Sequence, residues 1–469
     1  MNGSGSPVRV IEQCQISPPP GSVPTTTLPL TFFDIVFLFP PPNESVFSFD
    51  FPHPLHQFTQ TILPKLKQSL SRTLQHFFPL ASNLICPPPP SKTYLQYTAG
   101  ASLTLTIAES LGDFNRLTSH RVEDVEESHL LIPPLPPSSV LEDGTRVVPL
   151  LAVQITAFPN SGICIGTNCD HVLADESSFH HFLKFWASVC RSGGGDIKIE
   201  SLPSHNRGLI KDPCDLKNKF LDDWRSWTST PTKCEQLRTQ FLIGKVRTTF
   251  VFSRAQIDRL KLWVSNLFIK LQDSKPTHLS SFVVICAFTW VSMVKAEEIS
   301  DDEMQCHFNY AANCRYRLGY PLPGSYFGNC LSLRSAQAKK SDLVGEDGIV
   351  AAVNAIGNNV KDLENGVLRN AEDWTAGWVK GATRKKSTPR HFTTLAGSPR
   401  FDFYNELDFG WGRPKRCEVI NVDFDRCIYV SNGREEEGGI EILLALKREQ
   451  MDSFCSMFKQ ALKLAEVEL

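Results

Sequence analysis

Among the residues whose types and spacing could do chemistry, His171 and Asp175 stand out, four positions apart in the stretch CDHVLADESSFHHFLKFWA. A neutral imidazole has a pKa near working pH, so His171 could remove a proton from a hydroxyl group as a new bond forms. Asp175 could orient the ring, pair with a distant arginine or cap the following helix. Taken alone, this spacing is more often that of a structural histidine with a satisfied partner.

The elements around His171 favour a functional position. The segment VVPLLAVQITAFPNSGICIGTNCDH predicts two buried strands that meet at a turn formed by residues 159–162, and the second strand ends near Cys169. A helix is predicted from about Ser177, because apolar residues recur on one face. His171 is therefore expected on a strand-to-helix turn, where a side chain can point into a cleft.

Two further stretches contain closely spaced glycines, SYFGNC at 325–330 and DFGWGRP at 408–414. Gly410 and Gly412 around Trp411 indicate tightly packed backbone beneath an aromatic ring, with Asp408 anchoring the turn. A protein kinase is excluded despite the DFG triplet, because the Gly-rich loop, the lysine strand and the HRD loop of kinases do not occur.

Length, charge and cysteine usage indicate a folded protein of two domains. The chain has 469 residues, a formal net charge of −2 and 14 cysteines at irregular spacings. Two domains of about 200 residues are the natural expectation, and the charge gives no reason to expect nucleic acid or a membrane as partner. The first residues lack the pattern of a secretory signal, so we predict a cytoplasmic protein with reduced cysteines. No metal site is expected, because Cys306, His307 and Cys314 lack a fourth ligand.

The chain divides into two predicted α/β halves with mixed sheets. We predict a first domain at 1–195, a linker at 196–240 and a second domain at 241–469. Helices are predicted at 58–84, from about 177 onward, and at 254–271, 277–294, 344–365 and 447–467. Strands are predicted at 8–16, 28–39, 94–99, 102–110, 147–158, 162–169, 246–253, 401–412, 418–424, 427–432 and 440–446, and a strand followed by a loop is predicted within 304–319.

The two motifs together carry a family resemblance. HVLAD at 171–175 with DFGWG at 408–412 resembles the plant BAHD acyl-CoA-dependent acyltransferases. LPLTFFD at 28–34, YFGNC at 326–330 and GSPRF at 397–401 resemble the branch that acylates anthocyanins and other phenolic glycosides. The resemblance covers nearly the whole chain. It implies two chloramphenicol-acetyltransferase-like α/β domains, with a solvent channel between them that the two substrates enter from opposite faces.

The resemblance also implies residue roles. His171 is the general base that activates the acceptor hydroxyl for attack on the thioester of acyl-CoA, a co-substrate, with no tightly bound cofactor and no acyl-enzyme. Trp411 is a candidate oxyanion donor, although backbone N–H groups would serve equally. Asp408 is counted as a second acid/base candidate because its motif matches, although a structural role is expected. Asp175 is expected to pair with Arg315 and so to act on folding and geometry.

Phosphates of CoA need local cations. Lys245 and Arg247 alternate on one predicted strand face, a spacing that suits two cations on one anion. Ser280 and Ser281 head an apolar helix, where hydroxyl and N–H groups could meet the donor. Both pairs match donor-site positions of malonyl-transferring relatives, and the alternative is a solvated strand face and a helix cap.

The acyl donor stays open between malonyl-CoA and a hydroxycinnamoyl-CoA. Many malonyl-transferring relatives carry a basic residue just after the HxxxD aspartate, where this chain has Glu176 and Ser177; Arg400 could compensate. YFGNC and GSPRF favour malonyl-CoA slightly. The expected acceptor is a sugar hydroxyl of a flavonoid, anthocyanin or simple phenolic glucoside, and the expected state is a monomer. Alternatives are a catalytically inactive binding protein on the same fold and a condensation enzyme with a carrier-protein donor.

Overall fold

The computed structural model describes residues 8–119, 121–193, 202–228, 242–272, 275–297, 301–377, 379, 391–424 and 426–467. The strands in these ranges are β1 Arg9–Ile16, β2 Thr26–Pro29, β3 Asn43–Asp50, β4 Asn83–Cys86, β5 Tyr94–Tyr97, β6 Leu103–Glu109, β7 Glu123–Asp124, β8 Ser139–Val140, β9 Arg146–Pro149, β10 Leu151–Phe158, β11 Gly162–Cys169, β12 Lys245–Phe252, β13 Gln305–Asn313, β14 Leu331–Lys339, β15 His391–Gly397, β16 Arg416–Val419, β17 Cys427–Asn432 and β18 Ile440–Lys447. The longer helices are α1 Leu63–His76, α2 Glu176–Ser192, α3 Leu216–Thr228, α4 Arg254–Gln272, α5 Ser281–Ala296, α6 Gly348–Lys361 and α7 Arg448–Val467.

Short helical segments connect these elements. They lie at Phe32–Ile35, Val36–Leu38, Leu55–Gln57, Phe58–Ile62, Phe78–Ala81, Phe114–Leu117, Glu126–His129, Arg207–Leu209, Lys340–Val344, Asp362–Asn365, Ala371–Asp373, Phe403–Glu406 and Ile420–Asp423. Among the helices in the described ranges, none is both long and apolar enough to cross a lipid bilayer.

Three sheets organise the molecule. The first has six strands in the order β1-β6-β10-β11-β3-β16, with β6 and β10 parallel and the other neighbours antiparallel. The second has seven strands, β14-β13-β15-β17-β18-β12-β7, in which β15 runs parallel to both β13 and β17. A smaller antiparallel sheet has the order β2-β5-β4-β9-β8. The predicted fold class, two α/β halves with mixed sheets, is confirmed.

The two halves exchange strands. β16, from the second half, pairs with β3 in the first sheet, while β7, from the first half, pairs with β12 in the second sheet. Each sheet is therefore completed by a strand that is distant in sequence, and this couples the two halves. The predicted domain division stays a prediction, because positions 195, 196, 240 and 241 lie outside the described residues.

The predicted strand 418–424 ends at Val419, where a short helix, Ile420–Asp423, begins. Two further predicted strands are wrong. In the predicted strand 28–39, β2 ends at Pro29 and a helix begins at Phe32, because Thr31 and Asp34 form a reciprocal capping box. Residues 401–412 form a short helix, Phe403–Glu406, whose first turn is capped by the side chain of Asp402. In both segments a local side-chain cap outweighs the apolar pattern that suggested a strand.

Candidate active site

A six-residue turn between β11 and α2 carries His171. The side chain of Asp170 accepts a hydrogen bond from the Val172 N–H at 3.0 Å, which closes the first part of the turn. Asp175 is the N-cap of α2 and accepts from the Ser178 N–H at 3.0 Å. The predicted strand-to-helix position of His171 is confirmed.

The His171 ring is half-buried and fixed in plane. It stacks on Phe37, with 3.8 Å between ring centroids and 4° between ring planes. Its Nδ1 atom is enclosed and has no hydrogen-bond partner in this structure. Burial lowers the pKa of His171, and this effect outweighs the opposing influence of its own carbonyl and of Asp175. The imidazole is therefore neutral, as a general base requires.

Asp175 and Arg315 form the buried ion pair that the resemblance implies. Nη1 of Arg315 lies 2.7 Å from Oδ2 of Asp175 and Nη2 lies 2.9 Å from Oδ1, a two-pronged geometry. Both side chains are 1% exposed. The Asp175 carboxylate points toward Arg315 and the N-terminus of α2, so its role is to fix the conformation of the turn that carries His171.

The same ion pair holds the YFGNC segment against α2. Arg315 Nη2 donates to the carbonyl of Gly328 at 2.9 Å and to Ser178 Oγ at 3.0 Å. Oδ2 of Asp175 accepts from the Cys330 N–H at 3.0 Å. The turn that bears His171 is thus joined to the second half of the chain by buried hydrogen bonds.

Four residues near His171 were missed as functional candidates: Phe37, Asn329, Asp34 and Arg207. Asn329 donates to the His171 carbonyl at 2.9 Å, and Asp34 accepts from Asn329 Nδ2 at 3.1 Å. Arg207 lies 3.3 Å from Asp34. Asp34 and Asn329 belong to the LPLTFFD and YFGNC motifs, which served only to establish the family resemblance. Their place in these motifs could have identified them as functional candidates.

Asp408 and Trp411 lie in a glycine turn beside α2. Asp408 Oδ1 accepts from the N–H groups of Gly410 and Gly412 at 2.8 and 3.1 Å. Burial alone would raise the pKa of Asp408, but these amides and Arg191 lower it overall. The carboxylate is therefore an anchored acceptor, a geometry that favours the expected structural role over acid/base chemistry.

Trp411 keeps an indole N–H available. Its ring stacks on Phe409 with a centroid distance of 5.5 Å, and Nε1 is buried without a hydrogen-bond partner. An oxyanion donor needs an N–H of this kind. Within the described ranges no hydrogen bond joins Trp411 to His171, so the oxyanion role stays a prediction.

The arrangement predicted for Lys245 and Arg247 needs correction. Arg247 is 1% exposed, and its guanidinium donates to Asp423 at 2.7 Å and lies 3.3 Å from Glu418. Lys245 Nζ donates to the carbonyl of Asp423 at 2.9 Å. Buried carboxylates thus already neutralise Arg247, so neither the shared anion site nor the solvated strand face describes this pair.

Ser280 and Ser281 lie at the start of α5, as predicted. Ser280 is the N-cap, and its hydroxyl accepts from the Val283 N–H at 3.3 Å. Both serines are half-buried. The cap explains Ser280 fully, and contact with the acyl donor stays a prediction.

A neutral histidine on a turn fixed by a buried ion pair, within two coupled mixed α/β halves, is an arrangement that could activate a hydroxyl group. The Transferase family matches residues 6–461. The chain belongs to this family, the BAHD acyltransferases, and is a CoA-dependent O-acyltransferase.

Relatives agree with this assignment, and solved structures share the fold. The chain is 40% identical to coumaroyl-CoA:anthocyanidin 3-O-glucoside-6''-O-coumaroyltransferase 1 of Arabidopsis thaliana, over 97% of this chain and 98% of that one. It is 35% identical to malonyl-coenzyme A:anthocyanin 3-O-glucoside-6''-O-malonyltransferase of Dahlia pinnata, with the same coverage. Vinorine synthase shares the fold, with a TM-score of 0.67, 21% identity and coverage of 95% and 96%. F. graminearum TRI101, in its complex with coenzyme A and T-2 mycotoxin, shares the fold too, with a TM-score of 0.63, 15% identity and coverage of 91% and 96%.

Proposed function

We propose that the protein transfers an acyl group from acyl-CoA to a sugar hydroxyl of an anthocyanin, flavonoid or other phenolic glucoside. The single observation that carries the proposal is the half-buried imidazole of His171, its pKa lowered by burial, on a turn held by the Asp175–Arg315 pair. The relatives named above act on anthocyanin glucosides, which supports this acceptor class. The protein is proposed to act as a cytoplasmic monomer, with acyl-CoA as a co-substrate.

In the proposed reaction the acceptor hydroxyl gives its proton to His171 as its oxygen attacks the thioester carbonyl. The tetrahedral intermediate then releases CoA as a thiol, which recovers the proton from the imidazolium. Direct transfer needs no covalent acyl-enzyme. The thiols of Cys169 and Cys330 support this, because burial raises their pKa and keeps them in the unreactive protonated form.

We propose a hydroxycinnamoyl donor, which reverses the slight preference for malonyl-CoA drawn from the motifs. Glu176, directly after the HxxxD aspartate, accepts a hydrogen bond from the Tyr429 hydroxyl. Gly397 leaves room for Tyr429, because a Cβ there would lie 2.5 Å from its ring. Gly397 of the GSPRF motif therefore makes room for the tyrosine that binds Glu176, an acidic group at a place where many malonyl-transferring relatives carry a base. Such a group disfavours a second carboxylate and tolerates an uncharged aromatic acyl chain.

A donor and acceptor panel tests the function. Purified protein is incubated with an anthocyanidin 3-O-glucoside or a simple phenolic glucoside, each with p-coumaroyl-, caffeoyl-, malonyl- and acetyl-CoA. Release of free CoA and the mass of the product are measured. We expect CoA release with a glucoside acceptor and the fastest turnover with the hydroxycinnamoyl donors. Glucoside binding by calorimetry without CoA release from any pair would instead support the inactive binding protein.

Glu176→Gln tests the donor proposal through its pH dependence. Burial raises the pKa of Glu176 from its ordinary value of 4.5 to about 7, so the carboxyl gains its negative charge as the pH rises through neutrality. The preference for p-coumaroyl-CoA over malonyl-CoA, measured as the ratio of kcat/KM values, should therefore increase with pH in the wild type. In Glu176→Gln this ratio should not change with pH. At alkaline pH it should be about tenfold lower than in the wild type, a difference of about 1.4 kcal/mol.

A matched control for this test is Glu12→Gln, which neutralises a carboxylate on the edge strand β1. It should leave the donor ratio and its pH dependence unchanged. Equal pH dependence in the wild type and Glu176→Gln would show that Glu176 does not select the donor.

A further inference from the structure

Asn329 links the turn of His171 to the buried carboxylate of Asp34. Its side-chain Nδ2 lies 2.9 Å from the carbonyl oxygen of His171 and 3.1 Å from that of Val172. The same nitrogen lies 3.1 Å from Oδ1 of Asp34. Asn329 and Asp34 are both fully buried. The amide therefore has three acceptors around one of its two ends.

These acceptors determine which way the amide points. If the amide were flipped, its oxygen would face the Asp34 carboxylate and two carbonyl oxygens, and none of them could donate a hydrogen bond. Nδ2 must therefore occupy that side and Oδ1 the opposite one. In this structure Asn329 Oδ1 and His171 Nδ1 are both buried and neither has a hydrogen-bond partner. The carbonyl of His171 itself, Asp175 and, after them, the side chain of Asn329 raise the pKa of His171 against the lowering by burial, which indicates that the Asn329 and His171 side chains are neighbours.

We propose that Asn329 is a positioning residue whose Oδ1 accepts the Nδ1–H of His171 during turnover, which leaves Nε2 as the atom that removes the proton. The assignment rests on the proposed function of His171 as the base. The imidazole Nδ1 can donate and the amide oxygen can accept, so these two buried atoms without partners can satisfy each other. Catalytic hydrogen bonds are often long in ligand-free structures and tighten in the substrate complex.

A second layer holds the amide in place. Arg207 Nη1 lies 3.3 Å from Asp34 Oδ1 and donates to the Tyr326 hydroxyl at 3.0 Å. Gly328, with φ of 152°, gives the guanidinium its space, because a Cβ there would lie 1.5 Å from Nη1. Asp34 and Gly328 thus both help to hold the side-chain amide of Asn329 beside the turn of His171. The charged groups that influence His171 are Asp34 and Asp175, each neutralised by a buried arginine.

Nitrogen NMR of isotope-labelled histidines tests the proposal in the wild-type protein without any change of fold. His171→Gln identifies the signals of His171 by their absence. Above the pKa of His171, we expect a protonated Nδ1 and an unprotonated Nε2, in the presence of a non-reactive CoA analogue and a glucoside. A protonated Nε2 would overturn the proposal. The donor panel measures turnover separately, so failure of the proposed function and failure of this proposal are distinguishable.

Asn329→Ala provides the kinetic test. Loss of a hydrogen-bond partner behind a functional imidazole in metal sites lowers activity by about 10- to 100-fold, and we expect a decrease in kcat on that scale. The acidic limb of the pH–kcat profile should move to lower pH, because a group that raises the pKa of His171 is removed. The control is Asn421→Ala, which removes an amide that donates to the Pro42 carbonyl and accepts from the Glu44 N–H. Asn421→Ala should change neither kcat nor the position of the acidic limb of the pH–kcat profile.

The exchange variant Asp34→Asn with Asn329→Asp separates positioning from folding. It keeps one carboxylate and one amide beside Arg207 but places the carboxylate next to His171. An adjacent negative charge raises an imidazole pKa, so the acidic limb should move to higher pH. If Asn329→Ala and the exchange variant both fold and leave the limb where the wild type has it, Asn329 is structural only and the proposal is overturned.

Discussion

Replacing His171 with alanine will lower kcat by at least ~10²-fold with the glucoside and acyl-CoA pair that the wild type uses best, the scale of a lost general base. The ring is half-buried, its Nδ1 has no hydrogen-bond partner, and it stacks on Phe37. The fold should therefore survive. KM for acyl-CoA should change little, because the imidazole acts on the hydroxyl proton and not on CoA. Initial rates of CoA release with both substrates varied provide the measurement.

The pH profile makes this prediction specific. Burial lowers the pKa of His171, so the wild type should keep its activity below the ordinary imidazole value of 6.5 and lose it only as the ring becomes protonated at still lower pH. His171→Ala should lose this acidic limb along with its rate. The control is His56→Ala, an exposed histidine. If His171→Ala turns over like His56→Ala, His171 is not the base.

The hairpin and helix that carry His171 are well predicted because their signals are local. The pairing of Phe158 with Gly162 and of Leu151 with Cys169 places the turn where the segment PNSG predicts it. The apolar face of α2 has the helical period, and Asp175 provides a cap. Each of these signals lies within a few residues of the element that it determines, so one sequence is sufficient.

In the segment FFDIVFLF the apolar pattern alone does not predict the secondary structure. A continuous apolar run fits a buried strand or a buried helix equally, because neither period is visible in it. Here the capping box of Thr31 and Asp34 decides for a helix. That box turns Asp34 inward, where it meets Asn329, a residue 295 positions away. Such a partner is determined by the packing of two halves, which no local pattern contains.

Burial separates the successful from the unsuccessful site predictions. The alternation of Lys245 and Arg247 along a strand was read correctly, and their strand is β12. The sequence pattern did not indicate that β16 would cross from the second half into the first sheet and bring Glu418 against Arg247. Arg315 was predicted as the partner of Asp175 only because the family resemblance supplied the pairing, and the structure contains that pair.

The buried pair of Asp175 and Arg315 should account for the largest single loss of stability. Asp175→Ala leaves the Arg315 charge buried and unpaired, which should lower the free energy of unfolding by about 3–5 kcal/mol. It also removes the cap of α2, at a cost of about 1 kcal/mol. Urea denaturation followed by tryptophan fluorescence measures the change.

A surface pair offers a matched control for burial. Lys339 and Glu303 lie 2.8 Å apart, but their side chains are 48% and 76% exposed. Glu303→Ala should cost less than about 1 kcal/mol. The double variant Asp175→Ala with Arg315→Met removes both buried charges, so it should be more stable than Asp175→Ala alone, while its kcat should stay low because the turn of His171 has lost its hold on the 326–330 segment. If Asp175→Ala is no less stable than Glu303→Ala, water or another group reaches Arg315, and the ion pair does not hold the catalytic turn.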